Sequence, residues 1–292
     1  MKKITKIGFL PLYLYLYEQS NPGLVDEFSP FVDTIRELLD GDGIAVIAAP
    51  PAFDPAHITR ASGLFADVDL IVTLHLAYSP SMLSVEFLAN AGLPLLILDV
   101  TPDATLANMP DDFLMKNHGI HGVMDLTSVL YRRGVDYTVI AGHPGGQEFR
   151  HRLSTFVAGV RAAGLLQEQT IGITGKPFVG MGDFAVNFSV LKERFGISTI
   201  SIDKESIIRA CGDIPASEIE EQRQLDLETS DASGIEQDIH ERDIRSYLAI
   251  KELLDREDAT GYTMNFQHVL DGIPVPFYAC SRLQALGYGY GG

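Results

Sequence analysis

Residues 68–100, VDLIVTLHLAYSPSMLSVEFLANAGLPLLILDV, decide the fold of this chain. Two apolar runs, VDLIVTL and LPLLILDV, flank a segment of helical periodicity over Met82 to Ala91. Apolar runs of this length are typical of buried strands, and a helix between two of them lets the strands pair in parallel. The stretch therefore predicts a βαβ unit of a parallel sheet.

The same alternation extends from this unit in both directions. Upstream lie TKIGFL, a helix near Leu24 to Leu39, GIAVIAA and a helix near Ala56 to Phe65; downstream lie a helix over Asp112 to Arg132, DYTVIAG and a helix over Gln147 to Ala163. A second series opens after Leu166 with QTIGITG, a helix over Val186 to Arg194, ISTISI and three acidic helical stretches up to Asp255. We predict an α/β protein of two doubly wound, parallel-sheet domains of flavodoxin-like or Rossmann-like type.

The predicted domains cover residues 1–166 (N-terminal, flavodoxin-like) and 167–292 (central, α/β). The last run, Gly261 to Gly292, predicts a strand at GYTMNF, a helix over Pro276 to Leu286 and a glycine-rich turn at GYGYGG. A turn of this kind normally leads into further structure. We therefore expect the central domain to be incomplete at its C-terminal end.

Composition limits the classes of partner. The chain has 22 basic and 39 acidic side chains and a net charge of −17, which argues against nucleic acid, because a polyphosphate partner requires clustered Lys and Arg. No apolar run reaches the roughly 18 residues that span a bilayer. The start, MKKITKIGFLPLYLYLY, is interrupted by Lys6 and Pro11 and fits a first strand better than a secretory signal. We expect a cytoplasmic protein with no membrane partner.

Two histidines three residues apart, His118 and His121 in KNHGIHGVMDL, are the first candidates for chemistry. Imidazoles at this spacing share one face of a helix, and Gly119 and Gly122 would let the backbone approach a ligand. Two imidazoles do not complete a zinc or manganese site, and no third ligand has a diagnostic spacing. Metal binding and hydrogen bonding in a loop both remain open, and we favour hydrogen bonding.

A third histidine, His75, ends the strand in VTLHLAYSP and is followed by Tyr78 and by Ser79, which we expect to cap the next helix. The carboxyl end of a parallel strand favours a ligand site, but a structural histidine fits equally well. The tyrosines at 13, 15 and 17 are interpreted as an edge of the first strand and its loop rather than an aromatic cage.

Two glycine-rich segments resemble nucleotide loops without matching them. GITGKPFVGMGDF lacks the spacing of a phosphate-binding loop, so its glycines predict close passage of the backbone, with Asp183 as a hydrogen-bonding carboxylate. GYGYGG follows a helix and opens none, which argues against a dinucleotide site. No general base with a partner, activated nucleophile or complete metal shell is visible, so the residues alone leave the function open.

At NHGIHG, GMGDF, TLHLAYSP and GYTMNF…GYGYGG the chain resembles the L-fucose/L-arabinose isomerase family, and its arabinose-isomerase branch more closely. The resemblance implies an aldose–ketose isomerase with two stacked α/β domains and a third, a manganese cofactor, and homo-oligomers, either trimers or hexamers. It implies a sugar substrate and proton transfer through an enediol, assisted by a divalent cation.

The resemblance also assigns residues. It implies that His121 contacts substrate, that His118 stands where relatives often carry glutamine, that Tyr78 lines a neighbouring subunit's pocket and that Phe266 lines the pocket. Together with His75 and Asp183, these form the predicted substrate-binding set.

The ending departs from the family's pattern. The family continues GYGYGG with a metal-binding glutamate and supplies another glutamate and two histidines further on, all beyond Gly292. We therefore expect no catalytic residue and no metal ligand within the chain, which is expected to be inactive alone. The alternative reading is a non-catalytic, two-domain sugar-binding or oligomer-regulating protein.

Overall fold

The computed structural model describes residues 4–105, 113–177, 179–182, 184, 186–231, 234–265, 273 and 276–291. The chain divides into two compact units, Met1–Gly164 and Leu165–Gly292. The helix Gln147–Gln167 crosses this division. The domain boundary between residues 166 and 167 stays a prediction.

The described residues of the first unit form a parallel sheet of five strands. These are β1 (Thr5–Leu12), β2 (Ile44–Ala48), β3 (Leu70–His75), β4 (Leu95–Val100) and β5 (Thr138–Gly142). Their order in the sheet is β2-β1-β3-β4-β5, the order of flavodoxin-like folds. The predicted doubly wound α/β class is confirmed.

Helices connect the strands of this unit. They are α1 (Tyr15–Ser20), α2 (Ser29–Leu39), α3 (Pro55–Leu64), α4 (Ser81–Asn90), α5 (Phe113–Asn117), α6 (Ile120–Arg132) and α7 (Gln147–Gln167). Three differ from the sequence prediction, the first being α1, which was not predicted at all. The helix expected from Leu24 begins at Ser29 after a 3₁₀ turn, because Pro30 fits only the first turn of an α-helix. The helix expected over Asp112 to Arg132 is divided into α5 and α6.

Strand β3 lies at the centre of the sheet and shows why the sequence stretch around it is so apolar. All of its residues are buried. Leu70, Val72 and Leu74 pack into one apolar cluster and Ile71 into another. Alternate residues of a strand point to opposite faces, so the two clusters are the two layers between sheet and helices.

The second unit is a smaller parallel sheet, with four strands among its described residues. The strands are β6 (Thr170–Thr174), β7 (Ser198–Ser201), β8 (Gly261–Met264) and β9 (Gly289–Tyr290), in the order β7-β6-β8-β9. The helices are α8 (Phe188–Phe195), α9 (Lys204–Asp213), α10 (Ala216–Thr229), α11 (Gln237–Arg256) and α12 (Phe277–Ala285). In the described part of the chain, no helix is long and apolar enough to cross a membrane.

The glycine-rich end of the chain is where the fold departs most from the prediction. Gly289 and Tyr290 form an edge strand that pairs in parallel with β8, whereas the sequence predicted a turn. A Cβ atom added to Gly261 would lie 3.0 Å from the carbonyl oxygen of Gly289. The absence of a side chain at Gly261 therefore allows β8 and β9 to approach each other, whereas an added Cβ atom on Gly289 would meet nothing closer than 3.9 Å.

Candidate functional site

The candidate site lies in the first unit, where the segment that leads into α6 packs against the carboxyl end of β3. A Cβ atom on Gly119 would lie 2.5 Å from the carbonyl oxygen of His75. A Cβ atom on Gly122 would lie 2.6 Å from Cδ2 of His75 and 2.8 Å from the backbone nitrogen of Ser79. The glycines of NHGIHG thus serve close packing on the protein's own strand, and they place the two histidines of the motif at the edge of the sheet.

His118 and His121 are neighbours in space, as their spacing predicted. Their ring centroids are 5.7 Å apart in an edge-to-face arrangement. Nδ1 of His121 lies 3.3 Å from the carbonyl oxygen of His118. His118 itself lies outside the helix, in the link between α5 and α6, so the expectation that both rings share a helical face is wrong. His118 is half-buried, whereas His121 is exposed.

The partner of His118 is Tyr17 of α1, which no feature of the sequence indicated. The Tyr17 hydroxyl lies 2.8 Å from Nε2 of His118, a contact between residues 101 positions apart. Tyr17 and Tyr15 lie on a helix and Tyr13 follows β1, so the interpretation of all three as strand edge and loop holds only for Tyr13. No periodicity within the chain links α1 to the start of α6.

Tyr13 supports the contact between Tyr17 and His118 from the core. Its side chain is fully buried, and its ring packs edge-on against Tyr17, Phe28 and Phe53, with centroid distances of 6.4, 5.8 and 6.2 Å. Edge-to-face aromatic contacts of this kind stabilise a cluster beyond the area that they bury. The orientation of Tyr17 is therefore determined by the core beneath it.

Burial favours the uncharged forms of His118, Tyr17 and Tyr13. It lowers the pKa of His118, and it raises the pKa of Tyr17. Burial, together with the negative charge of Glu18, raises the pKa of Tyr13 to about 12. Near neutral pH the contact between Tyr17 and His118 is therefore a hydrogen bond between two neutral groups.

His75 lies beneath α6 rather than on the surface. Its side chain is 2% exposed, and neither ring nitrogen has a hydrogen-bond partner among the residues that the structure describes. Burial lowers its pKa to about 4, and the carboxylate of Asp125 opposes this shift. The imidazole is thus neutral at physiological pH. Its role as a substrate contact stays a prediction.

The loop after β3 carries Tyr78, which is half-buried. Ser79 does not cap α4 as the sequence predicted. The N-cap position belongs to Pro80, and the backbone nitrogen of Ser81 donates instead to Oδ2 of Asp125, at 2.9 Å. Because Asp125 belongs to α6, the cap joins the two helices that flank the site, a tertiary contact that local spacing cannot predict.

Two residues of the predicted substrate-binding set, Asp183 and Phe266, lie outside the described residues. Their roles stay predictions.

The family resemblance implies a metal ion. Within the described residues, no group of three or more His, Cys, Asp or Glu side chains is arranged to hold one. The donor set that manganese requires, mainly carboxylates and imidazoles, is not assembled by these residues.

The second unit contains a buried polar cluster that the sequence did not reveal. Asp226 of α10 accepts hydrogen bonds from Gln222 at 2.7 Å, from Nε2 of His240 at 2.7 Å and from the Tyr278 hydroxyl at 2.5 Å, and it also pairs with Arg282. Burial by itself raises the pKa of Asp226, yet these partners lower it overall. The cluster joins α10, α11 and α12. Local sequence contains no signal for His240, because its partners Asp226 and Tyr278 come from two other helices.

Comparison with known proteins extends this description to the family. Residues 183–292 match the model of the L-arabinose isomerase central domain. The chain is 24% identical to an L-arabinose isomerase of Nocardioides over 98% of the chain and 59% of that relative. Identity is also 24% to L-arabinose isomerases of Yersinia pseudotuberculosis, over 85% of the chain and 52% of the relative, and of Mycolicibacterium smegmatis, over 77% and 46%.

This chain is distantly related to the L-arabinose isomerases. It spans about half the length of the curated relatives that it matches. The family resemblance inferred from the short motifs is therefore confirmed. Within this L-arabinose isomerase relative, the part matched by the central-domain model lies in the second unit, whereas the His118–His121 pair lies in the first.

Proposed function

We propose that this chain is the sugar-binding and oligomer-forming part of an aldose–ketose isomerase. In this proposal residues 1–166 form the N-terminal domain and residues 167–292 the central domain. Support comes from the family match and from a cluster of polar and aromatic side chains at the carboxyl edge of a parallel sheet, where ligands of such folds gather.

One observation carries the proposal: α6 packs so closely on β3 that two predicted sugar-contact segments meet. Gly122 lies against the backbone of Ser79, which brings the turn carrying His121 beside the loop carrying Tyr78. An imidazole and a phenol at one sheet edge provide hydrogen-bond donors and acceptors and an apolar ring face. This combination suits a polyol. We propose His121 and Tyr78 as sugar contacts.

We propose that the isomerisation itself needs groups beyond those described. The reaction moves a proton between adjacent carbons and requires an acid–base pair, and the manganese expected for the full-length family member would stabilise the charge on the oxygens. The described residues assemble no donor set for that ion. The contribution proposed for this chain is therefore to bind and orient the sugar. A cytoplasmic location and a trimeric or hexameric homo-oligomer are proposed on the family resemblance alone.

The direct test is calorimetry of L-arabinose binding to the 292-residue chain, with EDTA present so that binding does not depend on a metal. His121→Ala should weaken binding roughly tenfold, since one hydrogen bond to the ligand is lost. His151→Ala is the matched control, because His151 is an exposed histidine of α7 outside the site, and it should bind as tightly as the wild type. Equal affinities for His121→Ala and the wild type would contradict the proposal.

The second candidate is a non-catalytic sugar-binding or oligomer-regulating protein. It is suggested by the two parallel α/β sheets, since sugar-binding proteins also use paired α/β domains. The two candidates differ in the turnover of the protein as its native host produces it. With manganese added, that protein should convert L-arabinose to L-ribulose if the chain is part of an isomerase, and it should bind the sugar without turnover if the chain is a non-catalytic module. Co-purification of a longer isomerase subunit from the native host would support a regulatory role.

A further inference from the structure

The hydrogen bond between His121 and the backbone determines which nitrogen of His121 faces outward. Nδ1 of His121 lies 3.3 Å from the carbonyl oxygen of His118. A carbonyl oxygen only accepts hydrogen bonds, so Nδ1 must carry the hydrogen. A neutral imidazole has one N–H group, and Nε2 therefore holds a lone pair. Because the side chain is exposed, this lone pair is available to accept a hydrogen bond from a ligand hydroxyl.

That carbonyl also accepts a hydrogen bond from the backbone nitrogen of His121, at 3.2 Å, and it belongs to a residue whose ring is anchored separately. Nε2 of His118 lies 2.8 Å from the Tyr17 hydroxyl. Both groups are neutral, and a phenol O–H is the stronger donor, so Tyr17 donates to Nε2 and the proton of His118 stays on Nδ1. The ring nitrogen that faces Tyr17 is thereby occupied. His118 acts on the site through its backbone carbonyl, which the anchored ring holds in place.

Tyr17 is itself immobilised from below. Its ring packs edge-on against Tyr13, which is fully buried in the core behind β1. Because packing orients the Tyr17 hydroxyl, its hydrogen bond orients the His118 ring. Hydrogen-bond partners orient metal-binding and catalytic histidines in the same way. The chain of contacts thus runs from the core through Tyr17 and His118 to His121.

We infer that Tyr17 is a positioning residue, which acts through His118 to hold His121 as the Nδ1–H tautomer with Nε2 as a hydrogen-bond acceptor for a sugar hydroxyl. This inference rests on the proposed function for its ligand. It concerns a residue that the sequence motifs did not single out, and it gives His118 a different role from the direct sugar contact that the resemblance implied.

The first measurement is the imidazole ¹⁵N NMR spectrum of the sugar-free chain. Wild-type protein should show His118 and His121 as Nδ1–H tautomers, whereas Tyr17→Phe should show a mixture of tautomers at both residues. Tyr131→Phe, which alters an exposed tyrosine of α6, is the matched control and should leave both signals unchanged. Unchanged signals in a folded Tyr17→Phe protein would overturn the inference, whether or not the chain binds sugar.

The second measurement is L-arabinose affinity in a double-mutant cycle. Tyr17→Phe and His118→Ala should each weaken binding by about fivefold, and the double variant should be no weaker than either one, because both remove the same contact. Additive losses would overturn the inference. If Tyr17→Phe does not fold, His118→Ala alone decides: a single Nδ1–H tautomer retained at His121 would show that the ring has no positioning role. If the wild type binds no L-arabinose, the proposed function fails while the NMR test of Tyr17 still stands.

Discussion

Asp226 accepts a hydrogen bond from Nε2 of His240 at 2.7 Å, and the two side chains are only 3% and 6% exposed. The same carboxylate also accepts hydrogen bonds from Gln222 and Tyr278 and pairs with Arg282. Removing a buried carboxylate that accepts several hydrogen bonds destabilises the fold, because each of its donors stays in the interior without a partner. The relationship makes Asp226 the point where α10, α11 and α12 are tied together.

Replacing Asp226 should therefore destabilise the second unit strongly. We expect Asp226→Ala to lower its free energy of unfolding by about 3–5 kcal/mol, because a buried ion pair is broken and its partners stay buried. Urea denaturation monitored by circular dichroism measures the change. Glu228→Gln, at an exposed position of the same helix, should change stability by no more than about 0.5 kcal/mol. Equal stability of the two variants would show that the cluster contributes little.

The stability of the first unit should depend on pH through His75. Its pKa is lowered from 6.5 to about 4 in the folded chain, so between these values the unfolded chain binds a proton that the folded chain does not. The contribution of His75 to stability is therefore fully present above pH 6.5 and is lost as the pH drops towards 4, by about 3 kcal/mol in all. Urea denaturation at a series of pH values should show this loss, and His75→Gln should reduce the slope. An unchanged slope in that variant would assign the acid sensitivity to other groups.

Gly122→Ala should destabilise the first unit, because the new Cβ atom would lie 2.6 Å from Cδ2 of His75. We expect a cost of about 1–3 kcal/mol, typical of overpacking. Gly159→Ala is the matched control, since Gly159 lies on α7 with nothing within 4 Å of an added Cβ, and it should stabilise the protein by up to about 1 kcal/mol. Thermal denaturation of both variants measures the difference. A neutral Gly122→Ala would mean that α6 can move away from β3 without cost.

The success of the sequence prediction differed between elements for physical reasons. The βαβ unit around β3 was predictable because both faces of a central parallel strand are buried and its apolar run is therefore unbroken. The edge strand at Gly289 was not predictable, since two residues with a glycine carry no strand periodicity and are ordered by pairing with β8.

The candidate site was predicted in part. The spacing of His118 and His121 correctly indicated that the two rings are neighbours, because contacts across three residues are local. The sequence did not reveal that Gly122 allows α6 to pack on β3. It shows that Gly122 lacks a side chain, but not that His75 and Ser79 occupy the space beside it. The sequence predicted Ser79 as the cap of α4 because Ser79 is adjacent to the helix along the chain. The residue that accepts the hydrogen bond from Ser81 is Asp125, which belongs to α6.

The sequence by itself determined the alternation of strands and helices, the parallel α/β class and the short motifs that relate the chain to the L-arabinose isomerases, because these properties depend on neighbours along the chain. Only the tertiary structure decided that Tyr17 meets His118 across 101 positions and that Asp226 gathers donors from three helices. Such contacts depend on strand order and on how closely helices pack on the sheet. Those properties arise from the summed burial of many side chains, and no single stretch of sequence encodes them.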